Sequence, residues 1–126
     1  MSATNAFEQA IINHFLRNNA QTPAVTLYAA LFSAVADEEA SSVTELSGGS
    51  YARKAVAFDA PSAGGTTQNS ADLTFDAGVG TATHVGIFTA STGGTLLAVA
   101  ALSASKTLAS GDQLLVPAGS LTISLN

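Results

Sequence analysis

The side chains best suited to specific polar recognition lie in residues 48–60, which read GGSYARKAVAFDA. Arg53 and the lysine after it are two of only four basic residues among the 126 of the chain. An arginine guanidinium can bind a carboxylate through two parallel hydrogen bonds, and tyrosine and arginine are both enriched at protein interfaces. The segment therefore predicts a contact surface made of Tyr51 and Arg53. For Arg53 the alternative is a local pair with an acid such as Glu45 or Asp59.

Lys54 is expected to behave differently from its neighbour. In a strand that starts at Tyr51, alternate residues point to opposite faces, so Tyr51 and Arg53 share one face. Lys54 heads the other face with Val56 and Phe58, and we expect its ammonium group to reach solvent at the end of the strand.

The sequence predicts no metal site and no cofactor. The chain has two histidines, His14 and His84, no cysteine, and no carboxylate at ligand spacing to either histidine. His84 lies between Thr83 and Val85 in a predicted strand, which favours a hydrogen-bonded structural histidine over a ligand.

No catalytic residues are predicted either. The GGS at 48–50 leads into a strand, whereas a serine nucleophile elbow leads into a helix, and the GVG at 78–80 lacks the helix N-terminus of a phosphate-binding loop. Three consecutive acids, residues 37–39, do not reproduce the alternating ligands of a calcium loop. Asp72 and Asp76 point outward from one strand and indicate solubility rather than acid-base catalysis. We therefore expect a protein that is not an enzyme.

Composition excludes two classes of partner. The formal net charge is −5, from nine acidic and four basic residues, so the chain lacks the basic field of a nucleic-acid binder. It contains no run approaching the ~20 apolar residues of a membrane helix, and its first residues lack the basic region of a signal peptide. We expect a protein made in the cytoplasm that binds neither nucleic acid nor membrane.

The first segment predicts a helix over residues 5–17. Asn5 would be the N-cap, Glu8 at the N3 position would complete a capping box, and Pro23 follows as a stop signal. Apolar residues spaced by three and four form one stripe along this helix: Phe7, Ile11, Ile12, Phe15 and Leu16. We select Phe7, Ile11 and Phe15 as candidate docking residues on another subunit; packing on the rest of the same chain is the alternative.

Residues 24–126 predict antiparallel β-structure. Short apolar runs are separated by glycine-rich turns every 8–14 residues, and no helical crossover separates the strands. Residues 26–32 are apolar on both faces and belong in the interior, residues 33–47 read as an exposed acidic loop ending at Gly48 and Gly49, and residues 61–70 read as a turn-rich connection. The spacing predicts a mainly β, antiparallel sandwich or barrel with one N-terminal helix, in a single domain over residues 1–126.

The order of several segments resembles a family of small structural proteins of tailed bacteriophages, described as tail-fibre-like or as virion proteins. The segments that carry the resemblance are TLYAALFSA, ELSGGSYARKAVAF and THVGIFTASTGGTLLAVAALSASKTLASGDQLLVPAGSLTISL, which with the helix cover nearly the whole chain. Related chains usually carry a tryptophan shortly before the TATH element, where this sequence has Val79.

The resemblance implies a virion protein without enzymatic activity and with a jelly-roll-like β-sandwich, and it leaves two locations open. One is a capsid decoration or cement protein that docks on the major capsid protein as a homo-oligomer, a trimer among the options. The other is a tail or tail-fibre component involved in adhesin attachment or host binding. Small size, the absence of repeats and loops without aromatic residues favour decoration, whereas the usual description of the family favours the fibre. We therefore expect a decoration protein that stabilises the shell, with the tail or tail-fibre component as the alternative.

Overall fold

The computed structural model describes residues 2–36, 42–76 and 78–125. Within these ranges one helix and ten strands are present, and every strand ladder is antiparallel. The elements are β1 (Ser2–Ala3), α1 (Asn5–Phe15), β2 (Leu27–Val35), β3 (Val43–Glu45), β4 (Lys54–Val56), β5 (Thr66–Gln68), β6 (Leu73–Asp76), β7 (Gly80–Phe88), β8 (Leu96–Leu108), β9 (Gln113–Val116) and β10 (Thr122–Ser124).

The helix is capped one residue earlier than predicted. Thr4, not Asn5, is the N-cap, because its hydroxyl accepts the Phe7 backbone N–H at 3.4 Å. The same hydroxyl donates to the carbonyl of Leu96 at 2.6 Å, and Thr4 is buried. Pairing of β1 with β8 fixes Thr4 in this place, so the predicted Asn5 cap and its box with Glu8 are wrong. The helix also ends at Phe15 instead of residue 17.

The main sheet has the strand order β1-β8-β7-β2-β3. The strand β4 pairs with residues 27–29 at the start of β2, and β3 pairs with residues 32–35 at its end. Its long central strand β2 is apolar on both faces, as predicted for residues 26–32. Ala29 and Leu31 belong to the larger core cluster, whereas Ala30 and Phe32 belong to a second cluster on the other face with Phe88 and Val99. Burial on both faces explains why the sequence of this strand does not alternate.

Two separate ladders are formed by β5 with β10 and by β6 with β9. They contribute five residues to the larger core: Leu73, Phe75, Leu114, Val116 and Ile123. Leu73 and Phe75 of β6 are buried and Thr74 between them is exposed, which confirms the predicted alternation. The predicted mainly β, antiparallel sandwich with one N-terminal helix is confirmed. One domain over residues 1–126 stays a prediction.

Two boundaries differ from the prediction. The expected loop over residues 33–47 is partly strand, because β2 continues to Val35 and pairs there with Val43 of β3. The acidic residues 37–39 lie outside the described residues. The strand expected to start at Tyr51 starts at Lys54. Gly48 and Gly49 adopt positive φ in a tight turn, and the residues between this turn and Lys54 have irregular backbone.

Asn69, which the sequence placed in a turn-rich connection, is an internal anchor. Its side chain is 1% exposed and makes three hydrogen bonds. The amide nitrogen donates to the carbonyls of Ala71 and Pro117, both at 3.0 Å, and the amide oxygen accepts the Leu121 N–H at 2.9 Å. Asn69 thereby fastens the end of β5 to the turn before β10.

Replacing Asn69 by alanine should lower the free energy of unfolding by about 2 kcal/mol, because two carbonyls and one N–H lose their buried partner. Urea denaturation at neutral pH measures the change. The adjacent variant Gln68→Ala is the control, because the Gln68 side chain is exposed and its removal should cost less than about 0.5 kcal/mol. Equal losses at the two positions would contradict the anchoring role.

Candidate functional site

Arg53 lies at the centre of a polar cluster that joins three parts of the chain. Its Nε and Nη2 donate to the two carboxylate oxygens of Glu45, at 3.0 Å and 2.9 Å, which is a bidentate ion pair. Its Nη1 donates to the carbonyls of Ala90 and Gly93, at 2.9 Å and 2.8 Å. The guanidinium carbon also stands 3.6 Å from the centre of the Phe88 ring. The Arg53 side chain is only 9% exposed.

Tyr51 completes this group, which we call the Arg53 cluster: Glu45, Tyr51, Arg53 and Phe88. The Tyr51 hydroxyl donates to Glu45 Oε2 at 2.6 Å and accepts the backbone N–H of Leu31 at 3.0 Å. Burial and the bond to Glu45 both raise the pKa of the Tyr51 hydroxyl, so it stays a donor throughout the neutral range.

The two sequence-selected residues, Tyr51 and Arg53, both bind Glu45 of the same chain. The local alternative for Arg53 is the one that the structure shows, with Glu45 rather than Asp59 as the acid. The guanidinium has a second role, which the sequence did not predict. Its bonds to Ala90 and Gly93 hold the turn between β7 and β8, and no sequence spacing links Arg53 to a turn 40 residues away. A role of Tyr51 and Arg53 at a subunit interface stays a prediction.

The state of the Glu45 carboxylate makes the cluster sensitive to acid. Burial alone would raise the pKa of Glu45, but hydrogen bonds from Arg53 and Tyr51 and the charge of Arg53 outweigh it, so the pKa is lowered. A carboxyl whose pKa is lower in the folded state stabilises the fold above its unfolded pKa of about 4.3, and that contribution is lost as pH falls through the folded value.

We therefore expect the free energy of unfolding to fall more steeply below about pH 4.3 in the parent protein than in Glu45→Gln, which cannot ionise. Urea unfolding curves at neutral pH and at successively lower pH give the comparison. Parallel pH profiles for the two proteins would show that Glu45 does not contribute in this way.

The Lys54 contact is more exposed than that of Arg53. Lys54 Nζ lies 3.4 Å from Asp76 Oδ2, and the side chains are 36% and 45% exposed. Lys54 therefore reaches the surface as expected but pairs there. Asp76 also accepts from Gln113 at 3.0 Å, and the bonds from Gln113 and Lys54 lower its pKa. Asp72 accepts the N–H of Ala118 at 2.8 Å, so both aspartates make structural contacts that the sequence did not predict.

His84 is a half-buried strand residue whose Nδ1 lies 2.8 Å from the Thr83 hydroxyl. Thr83 in turn donates to the carbonyl of Phe32 at 3.2 Å. This is the hydrogen-bonded structural role predicted for His84. Across residues 2–36, 42–76 and 78–125, no three His, Cys, Asp or Glu side chains group in a way that could hold a metal ion.

The helix stripe divides into two parts. Phe7 and Ile11 are half-buried, and the helix contacts β8. Phe15 is 75% exposed, together with Ile12 at 48% and Leu16 at 79%. Residues four apart are offset by about 40° around a helix, so Phe15 lies about 80° from Phe7. Phe7 and Ile11 therefore lie toward the rest of the same chain, whereas Phe15 is free to contact another subunit. Docking through Phe7, Ile11 and Phe15 stays a prediction.

The described helix is too short to cross a membrane. Comparison with curated proteins finds no match to the chain. Comparison with family models matches residues 2–124 to a family described as podophage GP4 fiber I protein gp80. This match takes in the helix, all ten described strands and the Arg53 cluster, and with it the chain belongs to the gp80 family of podophage fibre proteins, a family of phage virion structural proteins.

Proposed function

We propose that the protein is a non-enzymatic structural component of the fibre apparatus of a podophage, held in the virion by contacts with other virion proteins. The family match over residues 2–124 carries the proposal, because the family bears the name of a fibre protein. Capsid decoration, which small size and bland loops favour, is the competing location.

The polar groups of the chain support a structural role. Arg53, Glu45 and Tyr51 bind one another and the backbone, Lys54 binds Asp76, and Asn69 binds three backbone groups. In a catalytic site, at least one such group would face a cleft with a free reactive atom. Here the strongest polar cluster is used to fix a hairpin turn to the sheet.

The support of a fibre requires a rigid domain with exposed docking surface. Long ladders between β2, β7 and β8 give the rigidity, since these three strands form the centre of the sheet. Exposed apolar side chains on α1 give candidate docking surface.

Fractionation of virions tests the location. Particles are dissociated into heads and tails, and the protein is quantified by mass spectrometry in each fraction, with the major capsid protein as the marker of heads. We expect the protein in the tail fraction at a constant ratio to the other tail proteins. Recovery with the heads would reject the fibre location and support decoration.

A further inference from the structure

The first two elements of the chain are attached to the rest of it through one strand, β8. β1 forms a short antiparallel ladder with β8. Next to this ladder, the Thr4 N–H donates to the carbonyl of Leu97 at 2.8 Å, and the Thr4 hydroxyl donates to the carbonyl of Leu96 at 2.6 Å. Within the described ranges, hydrogen bonds join residues 2–21 to the rest of the chain only at residues 96–99. We call residues 2–21 the N-terminal arm.

The loop after α1 consists of a part that belongs to the arm and a part that we call the hinge, residues 22–26. The N–H groups of Asn19 and Gln21 donate back to the helix, so the chain as far as residue 21 moves with α1. No hydrogen bond joins the hinge to the described part of the arm, and four of its five residues are exposed. Five extended residues span about 17 Å, so the hinge lets the arm reach a second copy that lies beside the first.

The arm buries little of its own surface and needs a docking site. No side chain of α1 is fully buried, while Phe7 and Ile11 are half-buried. A helix of 11 residues is marginal in water unless an apolar face packs on another element, and α1 packs on β8. Because every copy carries the same β8, the arm finds identical contacts on its own chain and on a second copy.

Exposed apolar side chains are concentrated around the hinge. Among the described residues seven large apolar side chains are exposed, and four of them lie between residues 12 and 25: Ile12, Phe15, Leu16 and Val25. Val25, in the hinge itself, is fully exposed. Exchange of the arm places the hinge of one copy beside the other copy, where these side chains leave water. This burial favours exchange over docking on the same chain, since the contacts of the arm with β8 are equal in both.

We propose that the N-terminal arm is exchanged between copies of the chain, with β1 and α1 of one copy docked on β8 of a second copy. Exchange of an identical element is a low-cost route to an oligomer, because contacts made within one chain are remade between two. Thr4, Phe7 and Ile11 then lie at a subunit interface. The inference applies equally to a tail location and to a shell location, since it rests only on contacts within the chain.

Disulfide trapping provides the test, because the chain has no cysteine and two introduced thiols are then the only ones. Ala3 and Ala98 lie opposite each other in the β1–β8 ladder, where Cα atoms are about 5 Å apart and a disulfide can close. The variant Ala3→Cys with Ala98→Cys is refolded from urea at about 1 mM, in the range of the effective concentration that a short linker gives, and is then oxidised. On a denaturing gel without reductant, exchange gives covalent dimers or larger covalent rings. Docking on the same chain gives monomers only.

Each single-cysteine variant is the control for random crosslinking and should stay monomeric on the same gel. A second measurement needs no cysteine: the parent, refolded at the same concentration, should elute ahead of the monomer in size-exclusion chromatography. Phe7→Asp should lose this oligomer because it weakens docking of α1, whereas Leu125→Asp, at an exposed apolar residue outside the arm, should keep it. Monomers only on the gel, equal crosslinking of a single variant, a parent that stays monomeric, or an oligomer that Phe7→Asp leaves intact would each overturn the proposal.

Discussion

Replacing Gly86 by alanine should destabilise the protein by about 3 kcal/mol, since the new methyl group would overlap a buried ring in the middle of the sheet. A Cβ on Gly86 would overlap Cε2 of Phe32 and would lie 2.8 Å from Cζ of the same ring and 2.9 Å from Cδ1 of Leu96. Phe32 is fully buried, and Gly86 lies in β7 paired with both β2 and β8. Neither the ring nor the strand has room to move away.

A smaller side chain at position 32 tests whether overlap with the Phe32 ring causes the loss of stability in Gly86→Ala. Phe32→Leu alone should be destabilising, but the double variant Gly86→Ala with Phe32→Leu should lose clearly less than the sum of the two single losses, because leucine lacks the ring atoms that the methyl group overlaps. Urea denaturation of the four proteins measures this. Additive losses would show that the cost at Gly86 has another cause.

Replacing Arg53 by alanine should also cost about 3 kcal/mol, because it leaves the partly buried Glu45 carboxylate without its cation and releases the turn at Ala90 and Gly93. Arg53→Lys should recover little of this. An ammonium group cannot bind both carboxylate oxygens and two carbonyls in the plane of a guanidinium, or stack on Phe88 in the same way.

Lys54→Ala is the control for Arg53, as it removes the same charge from the adjacent residue. Its pair with Asp76 is exposed, so the loss should stay below about 1 kcal/mol. Hydrogen exchange should show faster exchange in residues 89–95 for Arg53→Ala and unchanged exchange there for Lys54→Ala. Equal effects of the two variants on stability would contradict the central position of Arg53.

Much of the fold follows from patterns within single segments. The helix is predictable from apolar residues three and four apart, β6 from its strict alternation, and the turn before β8 from Gly93 and Gly94, which both adopt positive φ. These features depend on residues close in sequence, where periodicity and turn preferences act directly.

The features that the sequence did not predict depend on distant partners. β1 is two residues long and exists because it pairs with β8, which follows more than 90 residues later in the chain. β5 lies in a segment rich in turn residues and becomes a strand through β10. The same applies to Thr4, whose capping role is tied to Leu96, and to Arg53, whose second set of acceptors belongs to a turn between other strands.

The sequence predicted two residues of the candidate site but not the contacts between them and their partners. Tyr51 and Arg53 could be selected because both residue types are common in specific contacts, and Glu45 could be named as one of two acids within reach. That all three converge, with a ring beneath the guanidinium, requires the register of β3 against β2, which places Glu45 opposite Phe32.

Electron cryomicroscopy of virions with and without the protein tests the proposed function most directly. The difference map should show density lost from the tail, at the fibres or their attachment sites, with the shell unchanged at its surface. Density lost from the capsid surface, with intact fibres, would contradict the fibre location and assign the protein to the shell.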